Sequence, residues 1–284
     1  MTSKSILITG ASSGIGAATA KRLAAAGYTV YATARKIEAI EGLKALGCLT
    51  LPLDVTDEAS MAAAVAAIEA REGAVGALIN NAGYMQSGAL ETLSLDAIRR
   101  EFETNVFGLL RLSQLVLPGM RRAGSGRIVN LSSIAGKLTF PGGGAYHASK
   151  HAVEALSDAM RFEVKGFGVD VVLIEPGLIR SGFADAAVAS MSAPVGGGAY
   201  AAFDAAVAKM TVEAYQAGPL AMLGGESDDV AKTIQRALEA RRPKTRYRVT
   251  ASAHVLLTLR ALLSDRLWDA FLATSYLRPK AQLT

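Results

Sequence analysis

The sequence predicts an α/β protein in which a doubly wound parallel sheet lies between two layers of helices. Short, continuous runs rich in Val, Ile and Leu alternate with segments of helical periodicity. This alternation is expected of parallel strands that are buried on both faces and joined by right-handed crossover helices. In addition, a glycine-rich turn follows the first of these runs directly.

The elements follow one another in strand–helix order along the chain. The predicted strands are 5–9, 29–33, 48–54, 76–80, 127–133, 169–176 and 247–250. The predicted helices are 15–26, 37–46, 58–71, 95–103, 106–122 and 145–167. We predict a single domain over residues 1–284, with a less regular insertion at 180–225 and a C-terminal helical tail at 253–284.

Composition excludes several classes of protein. The 284 residues carry a net charge of +5, and 51% of them are hydrophobic, yet no uninterrupted apolar run reaches the length of a membrane span. The N-terminus lacks the pattern of an export signal. We therefore expect a cytoplasmic protein without a transmembrane segment. The single Cys48 excludes an internal disulfide and a cysteine-based metal cluster, and no metal is expected.

One cluster of basic residues follows the insertion. It is predicted to lie on a loop and on the exposed side of a strand, because basic residues alternate there with other types. No nucleic-acid motif accompanies it, so no nucleic-acid partner is expected. The cluster comprises Arg241, Arg242, Lys244, Arg246 and Arg248.

The glycine-rich turn after the first strand has the spacing G-x-x-x-G-x-G, with glycines at Gly10, Gly14 and Gly16. Glycines allow a tight turn and a close approach of a pyrophosphate to the backbone, and the following helix offers free N–H groups. A tight strand–helix turn also uses glycine without binding anything. The strand before the turn and the helix after it favour a nucleotide site.

The end of the second strand bears on the choice of cofactor. A carboxylate there would bind the adenosine ribose hydroxyls of NAD, but the sequence has Arg35 instead. An arginine can pair with the 2′-phosphate of NADP. The alternative is a surface arginine that opens a loop. We predict NADP(H) rather than NAD(H) as the cofactor.

Two further strand ends carry polar residues. Asp54, followed by Val55, could accept a hydrogen bond from an adenine amino group or could cap the next structural element, and both interpretations stay open. The fourth strand ends in the Asn-Asn-Ala-Gly sequence of residues 80–83, which is by itself only a turn motif.

The full set of motifs resembles the classical short-chain dehydrogenase/reductase family. It comprises T-G-x-x-x-G-I-G, D-V, N-N-A-G, Asn105, Ser133, Y-x-x-x-K at 146–150 and Pro176-Gly177, in register over about 180 residues. The resemblance implies a Rossmann-type fold and hydride transfer between NAD(P) and an alcohol or carbonyl carbon. It also implies a homodimer or homotetramer.

The resemblance also implies residue roles. Tyr146 would be the general acid/base, Lys150 would hold the nicotinamide ribose, Ser133 would hydrogen-bond the substrate oxygen, and Asn105 would support a water relay. The implied cofactor-binding residues are Gly10, Ser12, Ser13, Gly14, Ile15, Gly16, Arg35, Asp54, Val55, Asn81, Ala82, Gly83, Tyr146, Lys150, Pro176, Gly177, Ile179 and Ser181. Some NADP-preferring members have a basic residue where Ser13 stands, so the 2′-phosphate prediction rests on Arg35.

The spacing of the tyrosine and the lysine suits this chemistry. Tyr146 and Lys150, four residues apart, share one helix face. The ammonium and the positive nicotinamide ring are expected to lower the pKa of the phenol from its usual value near 10. Neighbouring His147 and His151 are predicted to lie on the helix surface or to pack.

The substrate side is predicted to be apolar, for a hydrophobic ketone or aldehyde and its alcohol. The candidate contacts are Leu138, Phe140, Gly142, Met191, Tyr200 and Phe203, and Gly196–Gly198 is a candidate lid hinge. Ser264 is predicted to start a last amphipathic helix, for which packing over the pocket, a subunit interface and a membrane-surface contact are all open.

Three functions are compared. The first is an NADP(H)-dependent ketone reductase or alcohol dehydrogenase. The basic stretch and the tail of this sequence loosely resemble those of hydroxysteroid and retinol dehydrogenases. The second is a 3-oxoacyl thioester reductase, which could use the basic cluster to meet its carrier. The third is a nucleotide-sensing regulator on the same fold, which is less expected because the Ser–Tyr–Lys set is complete.

Overall fold

The computed structural model describes residues 4–191 and 198–279. Its centre is a parallel sheet of seven strands in the order β3-β2-β1-β4-β5-β6-β9. The strands are β1 (Ser5–Ile8), β2 (Thr29–Ala34), β3 (Leu49–Pro52), β4 (Ala77–Asn80), β5 (Gly126–Leu131), β6 (Val169–Pro176) and β9 (Arg246–Val249). A separate two-stranded parallel pair consists of β7 (Ile179–Arg180) and β8 (Gly225–Glu226).

Helices cover both faces of the sheet. The α-helices are α1 (Gly14–Ala25), α2 (Glu58–Glu72), α3 (Leu95–Phe102), α4 (Leu109–Arg122), α5 (Gly144–Val164), α6 (Phe183–Ala189), α7 (Ala201–Val212), α8 (Ser227–Glu239), α9 (Ala251–Leu262) and α10 (Asp265–Ala273). A π-helix, Glu103–Gly108, joins α3 to α4, and a second one, Glu213–Ala217, follows α7.

Successive side chains of β1 point to opposite faces of the sheet, which explains why the sheet lies between two layers of helices. Ile6 and Ile8 are fully buried in the core that faces α8, where they meet Val230 and Ile234. Leu7, between them, points to the opposite core with residues of α2 and α4. The predicted Rossmann-type doubly wound sheet, with helices on both faces, is confirmed.

Three details differ from the sequence prediction. Residues Ile37–Leu46 form a 3₁₀-helix rather than an α-helix, and the following Gly47 takes a left-handed φ of 85°. The π-helix fills the break predicted between the helices 95–103 and 106–122, so helical structure is continuous there. The short pair β7–β8 has no counterpart in the prediction. Of the candidate hinge Gly196–Gly198, residues 196 and 197 lie outside the described residues.

Part of the basic cluster has internal partners instead of lying free on the surface. Arg246 contacts Glu154 at 2.9 Å, Asp158 at 2.6 Å and Glu175 at 3.2 Å. Glu175 is fully buried on β6, and Arg248 lies 3.5 Å from it. Because desolvated carboxylates need nearby cations, these arginines join β9 to β6 and α5.

The C-terminal helices pack on the loop that follows β5. Trp268 on α10 is buried against a cluster that includes Ile134 and Leu138, and its indole N–H donates to the Thr139 carbonyl at 3.4 Å. Ser264 accepts from the Leu267 N–H and starts α10, as predicted. Among the described residues, no helix has both the length and the apolar character needed to cross a bilayer.

Candidate active site

A cavity of about 830 Å³ opens at the carboxyl ends of the central strands. Parallel α/β sheets bind ligands at this edge because the strand-to-helix loops meet there. Every predicted cofactor residue except Gly16 lines this cavity, and so does Ser133. The structure thus brings together residues that lie up to 171 positions apart, from Gly10 to Ser181.

Positive φ angles and close backbone contacts make the first loop, which we call the cradle, dependent on glycine. Gly10 and Gly14 have φ of 68° and 54°, the region that favours glycine. A Cβ on Gly16 would collide with the Gly10 carbonyl oxygen, so Gly16 shapes the loop from behind the cavity. The Ser13 side chain does not cap α1, which leaves the N–H groups of the first turn available to an anion.

The side chains of Thr9 and Asn81 fix this cradle to the end of β4. The Asn81 side-chain amide donates to the carbonyl oxygens of Thr9 and Gly10, at 2.9 and 3.0 Å. The Thr9 hydroxyl accepts the backbone N–H groups of Asn81 and Ala82, each at 3.0 Å. The phosphate loop is therefore held rigidly beside the N-N-A-G turn.

The end of the cavity predicted to receive the adenosine contains Arg35 and Asp54. Arg35 is exposed and forms no ion pair with any acid in residues 4–191 and 198–279. Asp54 accepts from the Thr56 N–H at 2.9 Å and from the Thr56 hydroxyl at 2.8 Å, so it closes a local turn. Asp57, not Asp54, caps α2.

Ser133, Tyr146 and Lys150 converge at the other end. The Ser133 hydroxyl accepts the Ala135 N–H at 3.1 Å and acts on the phenol of Tyr146 to lower its pKa. The Lys150 ammonium donates to the Leu131 carbonyl at 2.7 Å and lies 5.7 Å from the centre of the Tyr146 ring. The β5 end and the first turns of α5 thus position all three groups.

The pKa values of Tyr146 and Lys150 are both shifted in the protein, and that of Tyr146 moves in the direction opposite to the expected one. Burial is the largest influence on the phenol and raises its pKa above the usual value, so in the protein alone the lowering by Lys150 is not seen. Burial lowers the pKa of Lys150 to about 8, against the charges of Glu101 and Glu154, which raise it. At neutral pH the tyrosine is therefore protonated beside a charged lysine.

Asn105 lies in the π-helix behind this group rather than in the cavity lining. Its side-chain amide donates to the Tyr84 carbonyl at 2.8 Å, and its oxygen accepts the Tyr84 N–H at 3.0 Å. A π-turn places its side chains out of step with a regular helix and is frequent at functional sites. Asn105 thereby fixes the segment after the N-N-A-G turn.

The six candidate substrate contacts do not line the cavity. Leu138 and Phe140 pack under the C-terminal helices, because Trp268 covers the loop that carries them. Gly142 abuts Val207. Tyr200 pairs with Phe203 and donates to Glu91 on the surface, and Met191 follows α6 outside the cavity lining.

Other apolar residues line the cavity near Tyr146. The lining includes Met85, Phe183, Ala186 and Tyr215. The Phe183 ring centre lies 5.5 Å from that of Tyr146 and 6.2 Å from that of Tyr215, so three aromatic rings form one wall. Phe183 follows Ser181 closely and could have been suspected from that position, whereas Tyr215 lies in a π-helix that no sequence pattern indicated.

His147 is a packing residue, as predicted, although it is buried rather than exposed. Its Nδ1 lies 2.7 Å from the Leu138 carbonyl oxygen, and its Nε2 accepts the Phe140 N–H at 3.3 Å. This pattern requires a neutral ring with the proton on Nδ1. Burial lowers the pKa of His147 to about 4, so the ring stays neutral and holds the 138–140 loop.

Fold and site together define an oxidoreductase of the Rossmann class, and comparison with known proteins identifies the family. The profile of the short chain dehydrogenase family matches residues 4–192. The chain is 36% identical over 271 residues to the uncharacterized oxidoreductase YbbO of Escherichia coli, covering 95% of this chain and 94% of that protein. The protein belongs to the short-chain dehydrogenase/reductase family.

Other relatives show the range of activities in this family. The chain is 43% identical over 180 residues to a 3-ketodihydrosphingosine reductase of Bacteroides thetaiotaomicron, covering 63% of this chain and 65% of that protein. A serine dehydrogenase complexed with NADP⁺ superimposes with a TM-score of 0.74 at 26% identity, over 86% of this chain and 94% of the other. A short-chain dehydrogenase/reductase from Burkholderia phymatum in complex with NAD superimposes with a TM-score of 0.77 at 28% identity. This match covers 99% of this chain and 98% of the other.

Proposed function

We propose that the protein is an NADP(H)-dependent oxidoreductase that interconverts a hydrophobic ketone or aldehyde and the corresponding alcohol. One observation carries the proposal: Ser133, Tyr146 and Lys150 converge in the same cavity as the glycine cradle and Arg35. An anion cradle and a proton-donating group in one cavity suit hydride transfer to a carbonyl.

The residues that would hold the cofactor fit it. The uncapped N-terminus of α1 and the glycine turn would take the pyrophosphate, Lys150 the nicotinamide ribose, and the Pro176–Ser181 segment the nicotinamide end. The bound cofactor supplies or accepts the hydride. One structural neighbour is complexed with NADP⁺ and another with NAD, so the neighbours do not favour either cofactor. The choice of NADP(H) is supported by Arg35, which can pair with the 2′-phosphate.

In the direction of reduction, Tyr146 donates its proton to the substrate oxygen as negative charge develops there. Ser133 donates a hydrogen bond to the same oxygen, which stabilises that charge. Lys150 keeps a positive charge near the phenol and so favours the phenolate left behind. In the direction of oxidation, the same phenolate accepts the proton of the alcohol.

The substrate end of the cavity supports a hydrophobic carbonyl compound. Met85, Phe183, Ala186 and Tyr215 carry no charge, so a substrate carboxylate or phosphate would find no cation among them. The named activity of one relative, 3-ketodihydrosphingosine reductase, also concerns a keto compound. A steroid-like, retinoid-like or other bulky carbonyl compound fits this description. Separately, we expect the protein to form a homodimer or homotetramer.

The alternative, a 3-oxoacyl thioester reductase, has weaker support. Arg246 and Arg248, which could have met an acidic carrier, instead face buried Glu175. The ketoreductase proposal is tested by following NADPH and NADH oxidation with hydrophobic ketones, steroids, retinals and 3-oxoacyl thioesters. Preference for a thioester would establish the alternative, and binding of NADPH without turnover of any carbonyl would favour a nucleotide-sensing regulator.

A further inference from the structure

Glu101 is a buried carboxylate next to the candidate active site, and none of the steps above uses it. It lies in the last turn of α3 with no solvent-exposed surface. Its Oε1 accepts the Gln86 N–H at 3.1 Å, while its Oε2 is buried without a hydrogen-bond partner among the described residues. A half-satisfied buried carboxylate costs stability, which calls for a functional explanation.

The first consequence concerns the helix that covers the site. Glu101 holds Gln86, whose side-chain amide donates to the Ser190 carbonyl at 2.5 Å. The next residue, Ser87, donates its N–H to the Ser190 hydroxyl at 2.9 Å. Ser190 directly follows α6, which carries Phe183 against the Tyr146 ring. A chain of hydrogen bonds therefore runs from Glu101 to the aromatic wall.

Asn105, one helical turn further on, acts in parallel. Its side chain holds Tyr84 through two hydrogen bonds, as Glu101 holds Gln86. The two side chains together fix the 84–87 segment, which contributes Tyr84 and Met85 to the cavity. The segment is thus clamped at alternate residues from the same helical stretch.

The second consequence is electrostatic. Glu101 interacts with Lys150 and Tyr146 on α5 and with Tyr84 on the segment that it holds. Lys150 forms no salt bridge within the described residues, and Glu101 is the carboxylate that raises its pKa most, ahead of Glu154. A charged Glu101 also raises the pKa of Tyr146. Burial raises the pKa of Glu101 itself to about 7, against the Gln86 hydrogen bond and Lys150.

We propose that Glu101 is a positioning residue that seats the covering helix α6 through Gln86 and serves as the counter-charge of Lys150. The catalytic part of this inference rests on the proposed function, whereas the part that concerns α6 does not. One side chain then couples two requirements, the closure of the substrate wall and the charged state of the lysine.

The test compares Glu101→Gln with Glu101→Ala, and Asp96→Asn serves as a control. The control removes an exposed charge from the same helix. Glu101→Gln keeps an oxygen for the Gln86 N–H and loses the charge, while Glu101→Ala loses both. The kinetic readouts are KM for the best carbonyl substrate and the pH profile of kcat/KM for reduction. Hydrogen exchange of the α6 amides is measured on the protein alone.

Both variants are expected to move the alkaline limb of the profile to lower pH, by about one unit, because Lys150 and Tyr146 lose protons more easily without the carboxylate. Only Glu101→Ala is expected to raise KM, about tenfold, as one hydrogen bond to a charged group is lost. It should also speed exchange in α6, with Glu101→Gln like the wild type.

Each measurement tests one part of the proposal. An unshifted limb in Glu101→Gln overturns the counter-charge, and unchanged α6 exchange and KM in Glu101→Ala overturn the seating of the helix. If the wild type turns over no carbonyl, the proposed function fails by itself, and hydrogen exchange still decides the seating. If Glu101→Ala does not fold, Gln86→Ala, which removes the side-chain amide that contacts the Ser190 carbonyl, cuts the same chain of hydrogen bonds and supplies the exchange measurement.

Discussion

The Asn105 side-chain amide donates a hydrogen bond to the Ser149 hydroxyl at 3.1 Å, across 44 positions of sequence. Ser149 in turn donates to the backbone carbonyl of Tyr146 at 2.7 Å. The π-helix is thereby joined to the first turns of α5, between the tyrosine and the lysine. The positions of Tyr146 and of the 84–87 segment thus depend on each other.

Removal of the phenolic hydroxyl should stop turnover while the cofactor still binds. In Tyr146→Phe we expect kcat to fall about 10³-fold or more, because proton donation by a positioned side chain contributes on this scale. The affinity for NADPH, followed by its fluorescence, should stay near that of the wild type. Tyr28→Phe, in the partly buried turn before β2, is the matched control. Substantial turnover by Tyr146→Phe would refute the assigned role.

Arg35 should determine the cofactor preference. In Arg35→Ala we expect kcat/KM with NADPH to fall about 10- to 100-fold and that with NADH to change little, because a charge-assisted contact is lost for the 2′-phosphate alone. Lys36→Ala removes the neighbouring exposed charge, which does not line the cavity, and is the control. An equal loss with both cofactors would show that Arg35 supports the loop rather than the phosphate.

Gly16 should be irreplaceable although it does not touch the cavity. A Cβ there would collide with the Gly10 carbonyl and the Asn81 amide, so Gly16→Ala must displace the cradle. We expect kcat/KM to fall about a hundredfold, the scale for an ångström-sized misplacement. Gly42→Ala adds a methyl group where no atom lies within 4 Å and is the control. Wild-type cofactor affinity in Gly16→Ala would contradict the cradle geometry.

His147 should make the fold sensitive to acid. Because its pKa is lowered to about 4 in the folded protein, the unfolded chain binds its proton first as the pH falls below about 6.5. The stability that the neutral ring contributes is present above pH 6.5 and is lost as the pH falls toward 4, by roughly 3 kcal/mol.

Urea unfolding at several pH values measures this effect as the difference between the wild type and His147→Gln. The difference is needed because Glu101, whose pKa is raised to about 7, acts in the opposite direction over the same range. The variant should be less stable than the wild type at pH 7 and should close that gap near pH 4. A constant gap across the range would show that His147 does not titrate as inferred.

Periodicity and motif order were sufficient for the sheet and for bringing most of the predicted cofactor residues to one cavity. Strands buried on both faces give unbroken apolar runs, and the loops after them meet at one edge regardless of tertiary detail. The location of Tyr146 and Lys150 on one helix face follows from helix geometry in the same way.

The apolar residues that line the cavity near Tyr146 could not be identified from the sequence because they are brought there by long-range packing. Leu138 and Phe140 follow the serine closely and are apolar, but Trp268, more than a hundred residues later, covers them. Tyr215 enters the cavity through a π-helix, which has no sequence signature here. The pKa of Tyr146 depends on how completely the site is buried, which the i, i+4 spacing does not reveal.

The pairing of β9 with β6 has a consequence for the synthesis of this protein. Within residues 4–191 and 198–279, the outer edge of β6 and the carboxylate of Glu175 find their strand partner and their ion-pair partners in Arg246–Val249. A nascent chain that has emerged only as far as residue 192 already contains every proposed catalytic group, yet it has an open strand edge and a buried acid without its arginines. Completion of the sheet must therefore wait until residues 246–249 have been synthesised.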